Sequence, residues 1–272
     1  MSANREDIVG NQTMAVQKPL SLRSIVEIVV FTVVLAFVLK LCVLDAIHIP
    51  TPSMEPTLLP GDFVLVNKLV YGARITGVPF VQTRNGEVHL PGFRSVERGD
   101  VVVFELPAVA ENDPASRSSL YVKRCVAVSG DEVVIRNGDL FVNGSRASLP
   151  GAAAGGLGEG NIIAPVRVPK AGDKITLTSS NYSFWTHVIN GEGHVIACAE
   201  SGAVLIDEIP EESYTVTQDY LFVIGDNRDH SYDSRSWGFL PERNVVGEAM
   251  MVYLSLAPSG AMRWNRFGSI VR

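Results

Sequence analysis

Ser53 and Lys123 are the two residues whose types and surroundings suggest reaction chemistry. A serine hydroxyl is a weak nucleophile until a base takes its proton. A lysine amine serves as that base only when neutral, and burial among uncharged groups favours the neutral form by stripping water from the ammonium. Lys123 lies in the strand-like run Tyr121-Val122-Lys123-Arg124-Cys125-Val126-Ala127-Val128. Alternation there sets Tyr121, Lys123, Cys125 and Ala127 on one face and Arg124 on the other. Such a pair would perform acyl transfer through a serine ester.

From the residues alone, other readings stay open. Lys123 on a strand edge would be solvated and inert. The segment from Pro50 to Asp62, with Pro50, Pro52, Pro56 and Pro60, would be a stiff connection that happens to contain a serine. The same extended stiffness also suits a preorganised nucleophile. A histidine base is a third reading. Of His48, His89, His187, His194 and His230, only His230 lies in a site-like loop, the charged stretch 225–235. That loop carries Asp226, Arg228, Asp229, Asp233 and Arg235, but an EF-hand count from Asp226 puts Arg228 at a ligand position and Ser231 where glycine is required.

The elements that must position these residues begin with an apolar run. Ser24 to Leu44 has no Pro or Gly and is apolar apart from Ser24, Glu27, Thr32 and Lys40. A membrane-spanning helix needs about 20 mostly apolar residues. A retained anchor is the expectation, because Leu44-Asp45-Ala46-Ile47-His48-Ile49-Pro50 matches a signal-peptide cleavage region poorly. Arg5, Lys18 and Arg23 precede the run and no basic residue occurs between Lys40 and Lys68, so the N-terminus is placed in the cytoplasm.

Beyond the anchor the pattern is β-rich. Short β-branched runs at 62–67, 100–105, 219–224 and 249–256 read as strands, and 132–136, Asn137-Gly138 and 139–142 read as a hairpin. Residues 145–162 read as an Ala/Gly-rich loop and 165–214 as a separate strand-and-turn segment. A net charge of −6 with no basic stripe argues against nucleic acid as a partner. Cys42 falls in the anchor; Cys125 and Cys198 read as structural free thiols, with pairing left open and no C-x-x-C metal spacing.

Four ordered segments resemble the bacterial type I signal peptidases, the membrane-bound leader peptidases of the serine–lysine class. They are Ser53-Met54-Glu55-Pro56-Thr57-Leu58 with Pro60-Gly61-Asp62; Arg98-Gly99-Asp100-Val101-Val102-Val103-Phe104; Tyr121-Val122-Lys123-Arg124 with Ser129-Gly130-Asp131; and Gly225-Asp226-Asn227-Arg228 through Ser231, Asp233-Ser234-Arg235 and Trp237-Gly238-Phe239. The resemblance implies that Ser53 is the nucleophile and Lys123 the general base. It further implies that Ser231 orients the amine, that Asp233 and Arg235 form a supporting ion pair, and that the Ser53 N–H with the Thr51 hydroxyl forms the oxyanion hole. No metal or cofactor is implied.

The runs themselves read as a mainly β fold: an antiparallel β-sheet catalytic domain with an inserted smaller β-rich module, preceded by one N-terminal transmembrane helix, where some members of the resembled family have two. Its expected divisions are a cytoplasmic tail 1–23, an anchor 24–45, catalytic parts 46–134 and 216–272, and an inserted module 135–215. The implied partners are exported preproteins with Ala-x-Ala ends and the phospholipid bilayer. The implied location is the outer face of the bacterial inner membrane. Val78-Pro79-Phe80 and Trp264 are candidates for an apolar surface resting on lipid, or for core positions. A self-cleaving repressor of the related fold class would need a DNA-binding helix pair and no anchor. A tethered non-catalytic β scaffold would have no need of Ser53, Lys123, Thr51 and Ser231 together. A peptidase dedicated to one substrate would share every motif.

Overall fold

Seventeen residues, Leu22–Val38, form helix α1. In this computed structural model the described residues are 21–38, 43–72, 74–76, 87–106, 120–136, 139–147, 150 and 163–272. The chain divides into two units, Met1–Leu39 and Lys40–Arg272. Helix α1 belongs to the first. Its polar groups are handled locally: Ser24 N–H donates to Ser21 Oγ, Arg23 pairs with Glu27, and Thr32 Oγ1 donates to the Ile28 carbonyl. No helix among the described residues is long and apolar enough to cross a membrane. Residues 39–42 of the expected anchor lie outside the described residues. Its last two, Leu44 and Asp45, are strand rather than helix, since they pair with Asn67 and Val66.

The second unit opens with β1 (Leu44–His48), β2 (Asp62–Asn67), β3 (Arg74–Thr76), β4 (Glu87–His89), β5 (Val101–Glu105) and β6 (Leu120–Ala127). It continues with β7 (Glu132–Arg136), β8 (Asp139–Val142), β9 (Ser145–Arg146), β10 (Ile163–Arg167) and β11 (Lys174–Thr176). Helix α2 (Tyr182–Gly191) is followed by β12 (Ile196–Cys198), β13 (Val204–Ile206), β14 (Ile209–Pro210) and β15 (Ser213–Thr215). The chain closes with β16 (Tyr220–Ile224), helix α3 (Ser234–Trp237), β17 (Leu240–Pro241), β18 (Val245–Ser255) and β19 (Ser269–Ile270).

Eight of these strands form one sheet in the order β1-β2-β18-β5-β6-β16-β17, with β19 on β18. Every pairing in it is antiparallel. The order interleaves the two ends of the unit: β18 lies between β2 and β5, and β16 lies beside β6. Strands from 132 to 215 make smaller sheets of their own, β10-β7-β8-β9, β11-β15 and β12-β13-β14. They nevertheless share a core with the large sheet, because Val133, Ile135, Val188 and Ile206 pack in one cluster with Val126, Tyr220, Phe222 and Ile224. The expected boundary between 134 and 135 falls inside β7, which pairs along its length with β8.

The hairpins follow the turn chemistry. Arg136 faces Asp139, so two residues connect β7 and β8, though Asn137-Gly138 itself lies outside the described residues. The second Asn-Gly joins β8 to β9 with positive φ at both positions, 50° at Asn143 and 76° at Gly144, as a type I′ turn requires. Helix α2 corrects the expectation of strands and turns over 165–214. Its sequence is rich in aromatic and β-branched residues, which favour strand locally. Burial of Val188 and Ile189 against the core overrides that preference. Of the two apolar candidates for a lipid-facing surface, Trp264 is 73% exposed and 78–80 lie outside the described residues.

Gly247 shows how closely the central strands approach. A Cβ built there would lie 2.5 Å from the Asn67 carbonyl oxygen and 2.9 Å from Val66 Cγ1. Overpacking of this kind costs about 1–3 kcal/mol. Gly247→Ala therefore lowers the denaturant midpoint of unfolding, measured by urea titration of the folded protein.

Candidate active site

The Ser53 turn is built by its neighbours in sequence. Pro52–Met54 form a single 3-10 turn with Thr51 and Glu55 extended on either side, so Ser53 is not on the extended segment expected. Proline at the first position of a turn is already at the required φ. Met54 and Leu58 anchor the turn by burying their side chains beside Ile49, Val64 and Val66. Ser53 is itself buried at 9% exposure.

Lys123 reaches this serine from β6, where it stands opposite Val102 of β5. Its side chain is buried, and Nζ lies 2.8 Å from Ser53 Oγ. Burial, aided by the positive charge of Arg235 and opposed by Asp233 and Asp226, pulls the lysine pKa down from 10.5 to about 8. The arrangement therefore offers a largely desolvated amine at hydrogen-bond distance from a serine hydroxyl. Thr51 Oγ1 stands 3.4 Å from the same Oγ.

Loop 225–235 closes the site from the other side. Asp233 is fully buried: it accepts from the Arg235 guanidinium at 2.8 Å and 2.9 Å and from Gly225 N–H at 3.0 Å, and it caps α3 through Arg235 N–H. The implied Asp233–Arg235 ion pair is thus present. The implied hydrogen bond from Ser231 to the amine is not. Ser231 Oγ is buried with no partner among the described residues, and it crowds Gly225, where a Cβ would come within 2.2 Å of it and 2.5 Å of the Ser53 carbonyl oxygen. His230, the alternative base, is exposed and lies 3.4 Å from Asn227 Oδ1. Cys125 is buried and Cys198 half-buried, both as free thiols. Burial pushes the Cys125 thiol pKa up, keeping it protonated.

Two features of the site have no readable signal in the sequence. Arg124, the neighbour of Lys123, makes a buried ion pair with Asp226 through Nε at 2.8 Å and a terminal nitrogen at 2.6 Å. Thr57 Oγ1 adds a third bond to the same carboxylate, and the Arg124 guanidinium also donates to the Gly99 carbonyl. Asn227 grips the Ser53 turn, its backbone N–H donating to the Ser53 carbonyl at 3.1 Å and its side-chain amide to the Pro52 carbonyl at 3.0 Å. Periodicity could place Arg124 on the face opposite Lys123 but could not name a partner 102 residues away.

Stranding a buried charge costs about 3–5 kcal/mol. Arg124→Met is thus expected to destabilise the fold by roughly that amount. Adding Asp226→Asn removes the stranded charge and recovers part of the loss, read as a smaller drop in the urea midpoint than in the single variant.

Comparison with known proteins bears on this geometry. A family model described as signal peptidase, peptidase S26, matches residues 22–254. The signal peptidase I of Pseudomonas aeruginosa is 31% identical over 234 residues, covering 81% of this chain and 68% of its own. That of Helicobacter pylori strain 26695 is 31% identical over 253 residues, covering 86% and 83%. A solved signal peptidase I from Enterococcus faecalis is 21% identical and covers 57% of this chain and 97% of its own, with a TM-score of 0.29, too slight a likeness to weigh. With the family match spanning nearly the whole described unit, the chain belongs to the signal peptidase family, peptidase S26.

Proposed function

We propose that this chain is a membrane-anchored serine endopeptidase that removes N-terminal signal peptides from exported preproteins, with Ser53 as nucleophile and Lys123 as general base. The carrying observation is the 2.8 Å approach of a buried lysine amine to a serine hydroxyl. Relatives named signal peptidase I support the substrate class.

The chemistry follows from the geometry. Neutral Lys123 takes the Ser53 proton as Oγ attacks the scissile carbonyl carbon. The carbonyl π electrons move to oxygen, and the Ser53 N–H and Thr51 hydroxyl meet the developing negative charge. The lysine ammonium then gives its proton to the departing amine, leaving the signal peptide as a serine ester. Water, deprotonated by the same amine, hydrolyses the ester. The Asp233–Arg235 pair holds loop 225–235 against the turn, and Ser231 is assigned to orienting the amine once substrate fills the site.

The apolar run that begins in α1 is the proposed anchor, with the N-terminus cytoplasmic and the Ser53 unit on the outer face of the inner membrane. There the substrate's own apolar segment is delivered in the same lipid, and small side chains of an Ala-x-Ala end fit beside a buried serine.

A preprotein with an Ala-x-Ala site, presented in lipid or detergent, is expected to be cut by the wild type at that bond. Ser53→Ala and Lys123→Met should both lose cleavage while remaining folded; full activity in Lys123→Met would end the lysine mechanism.

The pH profile provides a second test. The amine is competent when unprotonated, so kcat/KM should rise with pH through about 8 and level above it. Stability has the same sign. The folded pKa lies below the ordinary 10.5, so the penalty for burying the ammonium is full below about pH 8 and is relieved between there and 10.5. Lys123→Met should flatten the rise in unfolding free energy across that window.

A further inference from the structure

The side chain of Asn227 is spent in an unusual place. Asn227 precedes the 3-10 turn Arg228–His230, where an asparagine ordinarily caps the turn with its side chain, yet no such cap bond is made. Instead Nδ2 donates to the Pro52 carbonyl, on the far side of the fold in sequence terms, at 3.0 Å. The Glu55 N–H donates to the same carbonyl at 3.0 Å, so two donors hold this one oxygen.

That oxygen and the Ser53 N–H belong to one peptide plane. The only cis peptide bond among the described residues joins Glu55 to Pro56, so Pro52–Ser53 is trans. In a trans peptide the C=O and N–H point in opposite directions across a rigid plane. Fixing where the Pro52 oxygen points therefore fixes where the Ser53 N–H points, which is away from Asn227. The Ser53 amide lies in the first turn of its 3-10 helix, where no intrahelical acceptor exists. No other hydrogen bond engages it among the described residues.

We propose that Asn227 is a positioning residue for oxyanion stabilisation: by gripping the Pro52 carbonyl it aims, and through the shared peptide group polarises, the Ser53 N–H that receives the developing negative charge. Hydrogen bonds in series strengthen one another, so a carbonyl that accepts two bonds makes its peptide N–H a better donor. The inference rests on the assignment of Ser53 as nucleophile and goes beyond it. Asn227 bonds to the backbone of the Ser53 turn rather than to Ser53 Oγ or Lys123 Nζ. Its own placement is rigid, because Asp226 before it is held by Arg124 and Thr57, and Arg228 after it donates to the Gly225 carbonyl.

The test uses Asn227→Ala and the isosteric Asn227→Asp in the full chain. Both keep the backbone bond from residue 227 to the Ser53 carbonyl and remove the side-chain donor; the alanine also removes the Oδ1 contact with His230, which the aspartate keeps while setting a charged oxygen against the Pro52 oxygen. Losing an oxyanion donor outright costs about 100- to 1,000-fold in kcat. Loosening its aim should cost about 10- to 100-fold in kcat, with KM changed less than about twofold. A peptide aldehyde gives a readout that mere structural support would not move. Ser53 Oγ adds to the aldehyde carbon, the C=O π bond opens to an oxyanion, and the serine proton passes to Lys123. Aldehyde affinity should fall in parallel with kcat/KM, while affinity for the matching peptide alcohol, which forms no oxyanion, stays at the wild-type value. Unchanged kcat in both variants, or equal losses for aldehyde and alcohol, would overturn the inference. Ser53→Ala, run alongside, separates the failures: wild-type cleavage there defeats the serine mechanism itself, whereas loss there with normal Asn227 variants defeats the positioning role alone.

Discussion

A lysine held out of water against a serine is the constraint around which the second unit is arranged. Desolvating an ammonium is costly, and the folded chain meets the cost by lowering the amine's pKa to about 8. That requires walls. Lys123 lies on β6 between β5 and β16, in the interior of the large sheet, with Tyr121 and Cys125 on its own strand face. It also requires that nearby carboxylates not restore the charge. Asp226 and Asp233 both favour the ammonium, yet each carboxylate is bound by a guanidinium, of Arg124 and Arg235 respectively. The positive charge of Arg235 offsets part of the negative potential that favours the proton on Lys123.

Loop 225–235 works as a clamp between the two sequence-distant parts of the site. Glycine at 225 is a steric necessity, since a side chain there would collide with Ser231 Oγ and with the Ser53 carbonyl oxygen. From that close approach the loop reaches the Ser53 turn through Asn227 and the β6 strand through Asp226, while Asp233 and Arg235 brace it internally. A polar loop of this density, if left in water, would gain little from its ion pairs. Here Asp226 and Asp233 are buried and every bond to them is directed, so the loop is held in one geometry rather than being merely attracted to it.

Much of the architecture was legible before any coordinates. The runs at 62–67 and 219–224 fall on β2 and β16, and Asn143-Gly144 marks a two-residue connection because both residues supply the positive φ that a primed turn needs. Helix α2 was illegible for the opposite reason: Tyr182-Ser183-Phe184-Trp185 carries strand-like local preference, and only packing against the shared core decides for helix. The end of the apolar run also differs from the hydropathy expectation. Hydropathy does not distinguish the last turn of a helix from a strand, and Leu44 goes to β1 because Asn67 is there to pair with it.

The sequence alone supplied the candidate reacting groups, with a histidine base and a solvated, inert Lys123 still open beside them. Hydroxyl and amine chemistry are properties of residue type, and alternation was enough to set Lys123 on an uncharged strand face apart from Arg124. Their meeting was decided only by the tertiary structure. Seventy residues separate Ser53 from Lys123, and the 2.8 Å contact exists because β5 and β6 pair in the register that puts Lys123 opposite Val102 while Met54 and Leu58 pin the serine turn into the core. The partners of Asp226, the lack of a partner for Ser231 Oγ among the described residues and the grip of Asn227 on Pro52 are likewise tertiary facts. Each depends on distances between chain segments remote in sequence, and no local pattern of residues encodes such a distance.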